Sequence, residues 1–186
     1  MSDELSELIA ETKAVSAKVE QAFGALSARQ LNWKPSEKAW SVAQCLDHLI
    51  RTNRLEFPAV ENALRGDYKN PFWSRIPFLP DVCGRIGIYL FRPQNPRKFK
   101  APKSFQPSNS DFDEKITADF LAHQQDLIEK MEQCRSLDTR KTKIVSPVSD
   151  LITYSLADAF RILVVHEQRH FEQAERVTQS QGFPTN

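Results

Sequence analysis

Neither sign of charge predominates in this sequence, no apolar run is long, and no two cysteines lie close together. Lysine and arginine number 25 against 24 acidic residues, a net charge of +1. So even a balance offers no electrostatic footprint for nucleic acid or an anionic membrane, and neither partner is expected. No apolar stretch approaches the roughly 18 residues that a membrane-spanning helix requires. The opening MSDELSELIAETKAV is acidic and amphipathic, unlike the basic-then-apolar start of a signal peptide. The three cysteines (Cys45, Cys83 and Cys134) form no C-x-x-C pair, so reduced thiols in a cytoplasmic protein are expected. A convincing alternating strand pattern, an internal repeat and a low-complexity tract are also missing.

What is present is helical periodicity in a 186-residue chain that is 40% hydrophobic, enough for one full core over residues 1–186. Leu5, Leu8, Thr12, Val15, Val19, Ala22 and Leu26 fall at alternating steps of three and four, the seam of a bundle helix. A second helix opens at WSVAQCLDHLIRTNRLEF, where Ser41 and Gln44 have capping-box spacing, meets Pro58 and ends near Gly66. In a third, Ser110 is the cap and Phe112, Ile116, Phe120, His123, Leu127 and Met131 form one stripe. The fourth runs from about Ser155 to Ser180, with Ser155 and Asp158 at its start and Gly182 past its end. The chain reads as an all-α four-helix bundle.

Residues 66–109, between the second and third helices, hold seven of the eleven prolines. They also carry Tyr68, Phe72, Trp73, Phe78, Tyr89, Phe91, Phe99 and Phe105, with a short helix possible over Val82–Phe91. So aromatic a segment should pack rather than stay solvated, and an ordered cap is expected. Its length suits a crossover between two consecutive parallel helices, because 44 residues easily return along a helix of about 33 Å.

Histidine is scarce, at His48, His123, His166 and His170, yet HEQRH contains two of the four in the H-E-x-x-H spacing of zinc proteases. The face 156, 159, 163, 166, 170, 174, 177 reads Leu, Ala, Leu, His, His, Ala, Val, so both histidines point into the bundle. Buried imidazoles need partners for their nitrogens, and a metal supplies one. A protease is disfavoured: Gln173 and Arg176 stand where a metzincin has glycine and histidine, and no flanking sheet is apparent. His48 is the better third ligand. With the second and fourth helices antiparallel, His48 and His170 lie about 11 and about 15 Å below the same end. His123 reads as a hydrogen-bonded core residue. Cys45, one turn before His48, would close a purely structural site as a fourth ligand, but plain core is its simpler reading.

The segments LNWKPSEKAWSVAQCLDHL and SLADAFRILVVHEQRHFEQAERV resemble the DinB/YfiT-like family of metalloenzymes, which pairs a Trp-Ser helix opening (Trp40, Ser41) with H-x-x-x-H and a following glutamine (Gln173). The resemblance implies an up-down-down-up four-helix bundle and a divalent metal, nickel or zinc, held by His48, His166 and His170. It further implies an enzyme acting on a small-molecule substrate. Thiol S-transfer using a low-molecular-weight thiol is the leading expectation, with hydrolysis by metal-activated water as the alternative. A non-enzymatic bundle held together by its metal is the third reading. Glu167 falls where the family varies. Many relatives also pair as homodimers through helical faces, and a homodimer is expected here, where the first helix ends in Phe23 and Leu26 beside the aromatic insertion.

Overall fold

Four long helices bury their apolar stripes against one another, and that requirement decides the architecture. The computed structural model describes residues 2–67, 71–97 and 101–185. In chain order the helices are α1 (Ser2–Phe23), the short α2 (Ala28–Asn32), α3 (Val42–Arg65), the crossover helix α4 (Leu79–Phe91), α5 (Lys115–Gln133) and α6 (Leu156–Thr178). Packing joins α1 to α5 and α6, and α3 to the same two. Glu167 meets Asn53 and His170 meets His48, so α3 and α6 are antiparallel. Phe57 stacks on His123 and Lys130 bonds to Glu61, so α3 and α5 run parallel. Arg161 binds Glu11 while Lys18 lies over Phe171, so α1 and α6 are parallel. The bundle is therefore up-down-down-up. Among the described residues no helix is long and apolar enough to cross a membrane.

Local chemistry sets the helix ends. The Ser41 hydroxyl accepts the Gln44 N–H at 3.2 Å while the Gln44 side chain accepts the Ser41 N–H at 3.2 Å, a complete capping box. α3 continues through Pro58 to Gly66, whose φ of 72° is the left-handed stop that glycine tolerates. At the start of α6 the Ser155 hydroxyl accepts the Asp158 N–H at 3.0 Å.

Three expectations need correction. On α1 the buried stripe passes through Val15 and Val19 to Phe23, leaving Ala22 exposed, because a straight helix repeats every 3.6 residues and drifts from a 3.5 seam. Ser110 does not cap α5. Asn32 holds Phe112 by both backbone groups, at 2.9 and 2.7 Å, so the chain stays extended there and the helix starts at Lys115. There is also a β-hairpin: β1 (Lys143–Ser146) and β2 (Ser149–Ser155) pair antiparallel and lead directly into α6. Ile144 and Tyr154 turn inward from it.

The core is split in two. One apolar cluster, with Leu8, Val60, Leu127 and Phe160, lies at the hairpin end. The other, with Val19, Leu46, Phe120 and Ala174, lies at the opposite end. Between them each long helix contributes a fully buried polar side chain: Thr12, Asn53, Gln124 and Glu167.

The Tyr154 hydroxyl donates to the Glu56 carboxyl at 3.1 Å, tying β2 to α3. Burial pushes that carboxyl up from its ordinary 4.5 to about 8. Between those values the folded chain keeps a proton that the unfolded chain has lost, so this group's contribution to stability falls as pH rises. Thermal melts across that range should show the fall in the native protein and a flatter profile in Glu56→Gln. Equal slopes would mean that Glu56 is ionised in the fold.

Candidate metal centre

The antiparallel pairing of α3 and α6 brings His48 to the level of His166 and His170, which lie one turn apart on the same face of α6. All three side chains are buried. Ring centroids lie 4.5 Å apart for His48–His170 and for His166–His170, and 5.0 Å apart for His48–His166. One nitrogen from each ring lies within 4.8 Å of the others, and His48 Nε2 is 3.3 Å from His166 Nε2.

His48 is oriented from behind. Its Nδ1 lies 2.5 Å from the Phe105 carbonyl oxygen, which can only accept, so Nδ1 carries the proton and Nε2 presents a lone pair to the cluster. All three rings are held neutral. Burial lowers the pKa of His48, opposed by the Phe105 contact. For His166 burial comes first and the charges of His48 and Arg169 add to it. For His170, burial and the neighbouring His166 and His48 outweigh the raising effect of Gln173.

Aromatic rings wall the cluster. Trp40 stacks on His170 at 5.7 Å and lies against His48 at 4.8 Å, and Phe91 sets its edge to His166 at 5.1 Å. The crossover is fastened around the site by charged side chains. Asp47 accepts the Ser108 N–H and hydroxyl at 2.6 and 2.9 Å. Arg51 donates to the Ser104 carbonyl at 3.3 Å. Arg169, between the two α6 histidines, donates to the carbonyls of Arg92, Asn95 and Arg97 at 3.1, 2.8 and 2.5 Å. Residues 66–109 thus bring Phe91 and the Phe105 carbonyl to the histidines and turn Phe72 and Phe78 outward. Tyr68 and Phe99 lie outside the described residues. Nothing in the sequence signals the Phe105 contact, because a backbone carbonyl 57 positions away leaves no residue-type trace.

The remaining candidates lie elsewhere. Glu167 does not take the position of a protease base: its Oε1 accepts from Asn53 at 2.7 Å and from Gln124 at 2.8 Å in the polar layer. His123 stacks on Phe57 at 5.2 Å with neither nitrogen hydrogen-bonded, contrary to the bonded core histidine expected. Burial, aided by Arg54, lowers its pKa to about 4. Cys45 belongs to the apolar core, where burial pushes its thiol up to about 12.

Three converging neutral imidazoles, one of them locked by a carbonyl behind it, are a donor set that fits a borderline divalent cation such as zinc or nickel. Fold and site together define a four-helix bundle with a buried three-histidine cluster. The chain belongs to the DinB superfamily, whose family model matches residues 11–174. Among solved structures it is similar to YfiT from Bacillus subtilis, reported as a probable metal-dependent hydrolase with an unusual four-helix bundle topology. The TM-score is 0.53 and the identity 16%, over 99% of this chain and 91% of that one, a likeness of fold. No curated protein matches the chain.

Removing the Glu167 carboxylate strands two buried amide donors. Glu167→Ala should cost about 3 kcal/mol in urea unfolding. Glu167→Gln, which keeps an acceptor oxygen, should cost clearly less. Equal losses would show that the hydrogen bonds to Asn53 and Gln124 are not what the position contributes.

Proposed function

We propose that the protein is a divalent-metal-dependent enzyme acting on a small molecule, with His48, His166 and His170 as the ligands and hydrolysis as its reaction. The observation that carries this reading is the set of three buried, neutral histidine rings facing one another, with His48 fixed in the tautomer that offers Nε2. When bound, zinc or nickel supplies Lewis acidity, polarising an electrophile and lowering the pKa of water or a thiol. The chain's own residues do the rest. The Phe105 carbonyl holds the His48 ring, Trp40 and Phe91 confine the imidazoles, and Arg169 closes the crossover beside them.

Hydrolysis asks less of this site than thiol S-transfer. A low-molecular-weight thiol needs charged or polar groups to grip it, and the nearby Asp47, Arg51 and Arg169 are already engaged with the crossover. Water needs no such grip. The likeness to a protein reported as a probable metal-dependent hydrolase points the same way. A bundle whose metal is purely structural would need the coordination sphere closed, and the thiol best placed in sequence, Cys45, is instead core.

Two measurements test the proposal. Elemental analysis should find one divalent ion per chain in the native protein and none in His170→Ala; full occupancy in the variant would place the metal elsewhere. Metal-loaded protein should cleave activated ester or amide substrates without added thiol. If turnover of electrophiles appears only when a low-molecular-weight thiol is supplied, transfer replaces hydrolysis.

A further inference from the structure

The charge balance of the whole chain conceals a segregation. Residues 66–109 hold eight lysines and arginines against two aspartates, a net +6, which leaves −5 on the remaining chain. Both aspartates are paired, Asp81 with Lys143 at 3.0 Å and Asp67 with Arg65 at 3.9 Å. Arg75, Arg85 and Arg92 are exposed, and among the described residues none of the three joins an ion pair.

The same segment turns apolar side chains outward. α4 cannot rotate them inward, because it rests on α6 at a distance only glycine allows. A Cβ at Gly84 would lie 2.5 Å from Asp158 Oδ2, and one at Gly87 would lie 2.7 Å from Ile162 Cδ1. The outer face of α4 carries Val82, Ile86 and Tyr89, all exposed, with Arg85 among them and Arg92 over the Tyr89 ring at 4.3 Å. Phe72, Ile76 and Phe78 precede that face, with Phe72 and Phe78 at 74% and 78% exposure. Phe78 also has a φ of 67°, a region that strains a bulky residue, and strain of this kind gathers at functional sites. The hairpin packs beside α4 and exposes Leu151 at 72%, next to Asp150.

With an aromatic ring worth about 150–250 Å², these seven side chains leave roughly 700 Å² of apolar surface, beyond the about 300–600 Å² of the largest patch on a typical monomer. Charge selects the occupant. An apolar centre edged by unpaired arginines matches the boundary of an anionic bilayer, where apolar side chains enter the headgroup layer and cations meet lipid charge. Asp150 is the opposing charge at the edge, one against three arginines. Single-stranded nucleic acid also takes arginines and aromatics, but it stacks bases on rings, and Ile76, Val82, Ile86 and Leu151 offer none. We propose that the outer face of α4, with the segment before it, docks on an anionic lipid surface. Phe72 and Phe78 enter the headgroup layer, and Arg75, Arg85 and Arg92 meet the lipid charges. The attachment is peripheral, since no helix among the described residues is long and apolar enough to cross a membrane. The acidic remainder of the chain is repelled by the same surface, which turns the crossover toward it.

Sedimentation with vesicles tests this without reference to metal or turnover. Native protein should pellet with phosphatidylcholine vesicles that contain about a third phosphatidylserine. Binding should fall about tenfold or more with phosphatidylcholine alone, or in about 0.5 M salt. Phe72→Ser combined with Phe78→Gly should lower binding about tenfold with circular dichroism unchanged, since both rings are exposed and glycine suits a φ of 67°. Arg85→Gln should weaken binding to the anionic vesicles, and Leu55→Ser, at an exposed position on α3, should bind as the native protein does. Three results would overturn the proposal. One is native protein left in solution with the anionic vesicles, whether as paired chains or bound to a single-stranded oligonucleotide. The others are undiminished binding by the folded ring variant and equal binding to neutral vesicles.

Discussion

Three imidazole rings taken out of water, with acceptor nitrogens aimed at one another, are the constraint on which this structure turns. A buried nitrogen without a good partner costs free energy: His170 Nδ1 has none, and His48 Nε2 meets only His166 Nε2 at 3.3 Å. Protonation offers little relief, because burial lowers the pKa of every ring and neighbouring histidines lower those of His166 and His170 further. A cation accepting one lone pair from each ring would resolve the conflict. The antiparallel order of α3 and α6 matters for the same reason. Run parallel, the two helices would set His48 at a different depth from His166 and His170.

The crossover links the fold to that centre. Its carbonyl at Phe105 fixes one histidine, its Phe91 ring touches another, and Arg169 lies between the two α6 histidines with its guanidinium spread over three of the crossover's carbonyls. Glycines at 84 and 87 let α4 settle directly on α6. The charged side chains of Asp47, Arg51 and Arg169 position a backbone instead of a ligand. Deeper in the bundle, Thr12, Asn53, Gln124 and Glu167 form a polar layer that divides the core. The layer ties α3, α5 and α6 together through a single carboxylate oxygen, next in sequence to His166.

Features that act over one helical turn were legible in the sequence. The capping box of Ser41 and Gln44, the stop at Gly66, and the shared face of His166 and His170 each depend on neighbours within four residues. His48 followed from periodicity and depth. Features that depend on distant partners were not legible. Asn32 holds Phe112 extended and displaces the start of α5 by several residues from Ser110. The strands KIVS and SDLITYS are short and show no clean alternation, with Ile144 and Tyr154 buried in the core and Thr153 and Ser155 buried beside Tyr154. The glutamate of HEQRH fits a protease pattern by type, yet it points to Asn53 and Gln124, a fact that emerges only when three helices meet.

X-ray absorption at the metal edge tests the centre most directly, since it counts ligands whatever reaction follows. Protein loaded with one equivalent of zinc should show three imidazoles at about 2.0–2.1 Å and no sulfur in the first shell. A sulfur scatterer near 2.3 Å, or fewer than three imidazoles, would contradict a centre built on His48, His166 and His170.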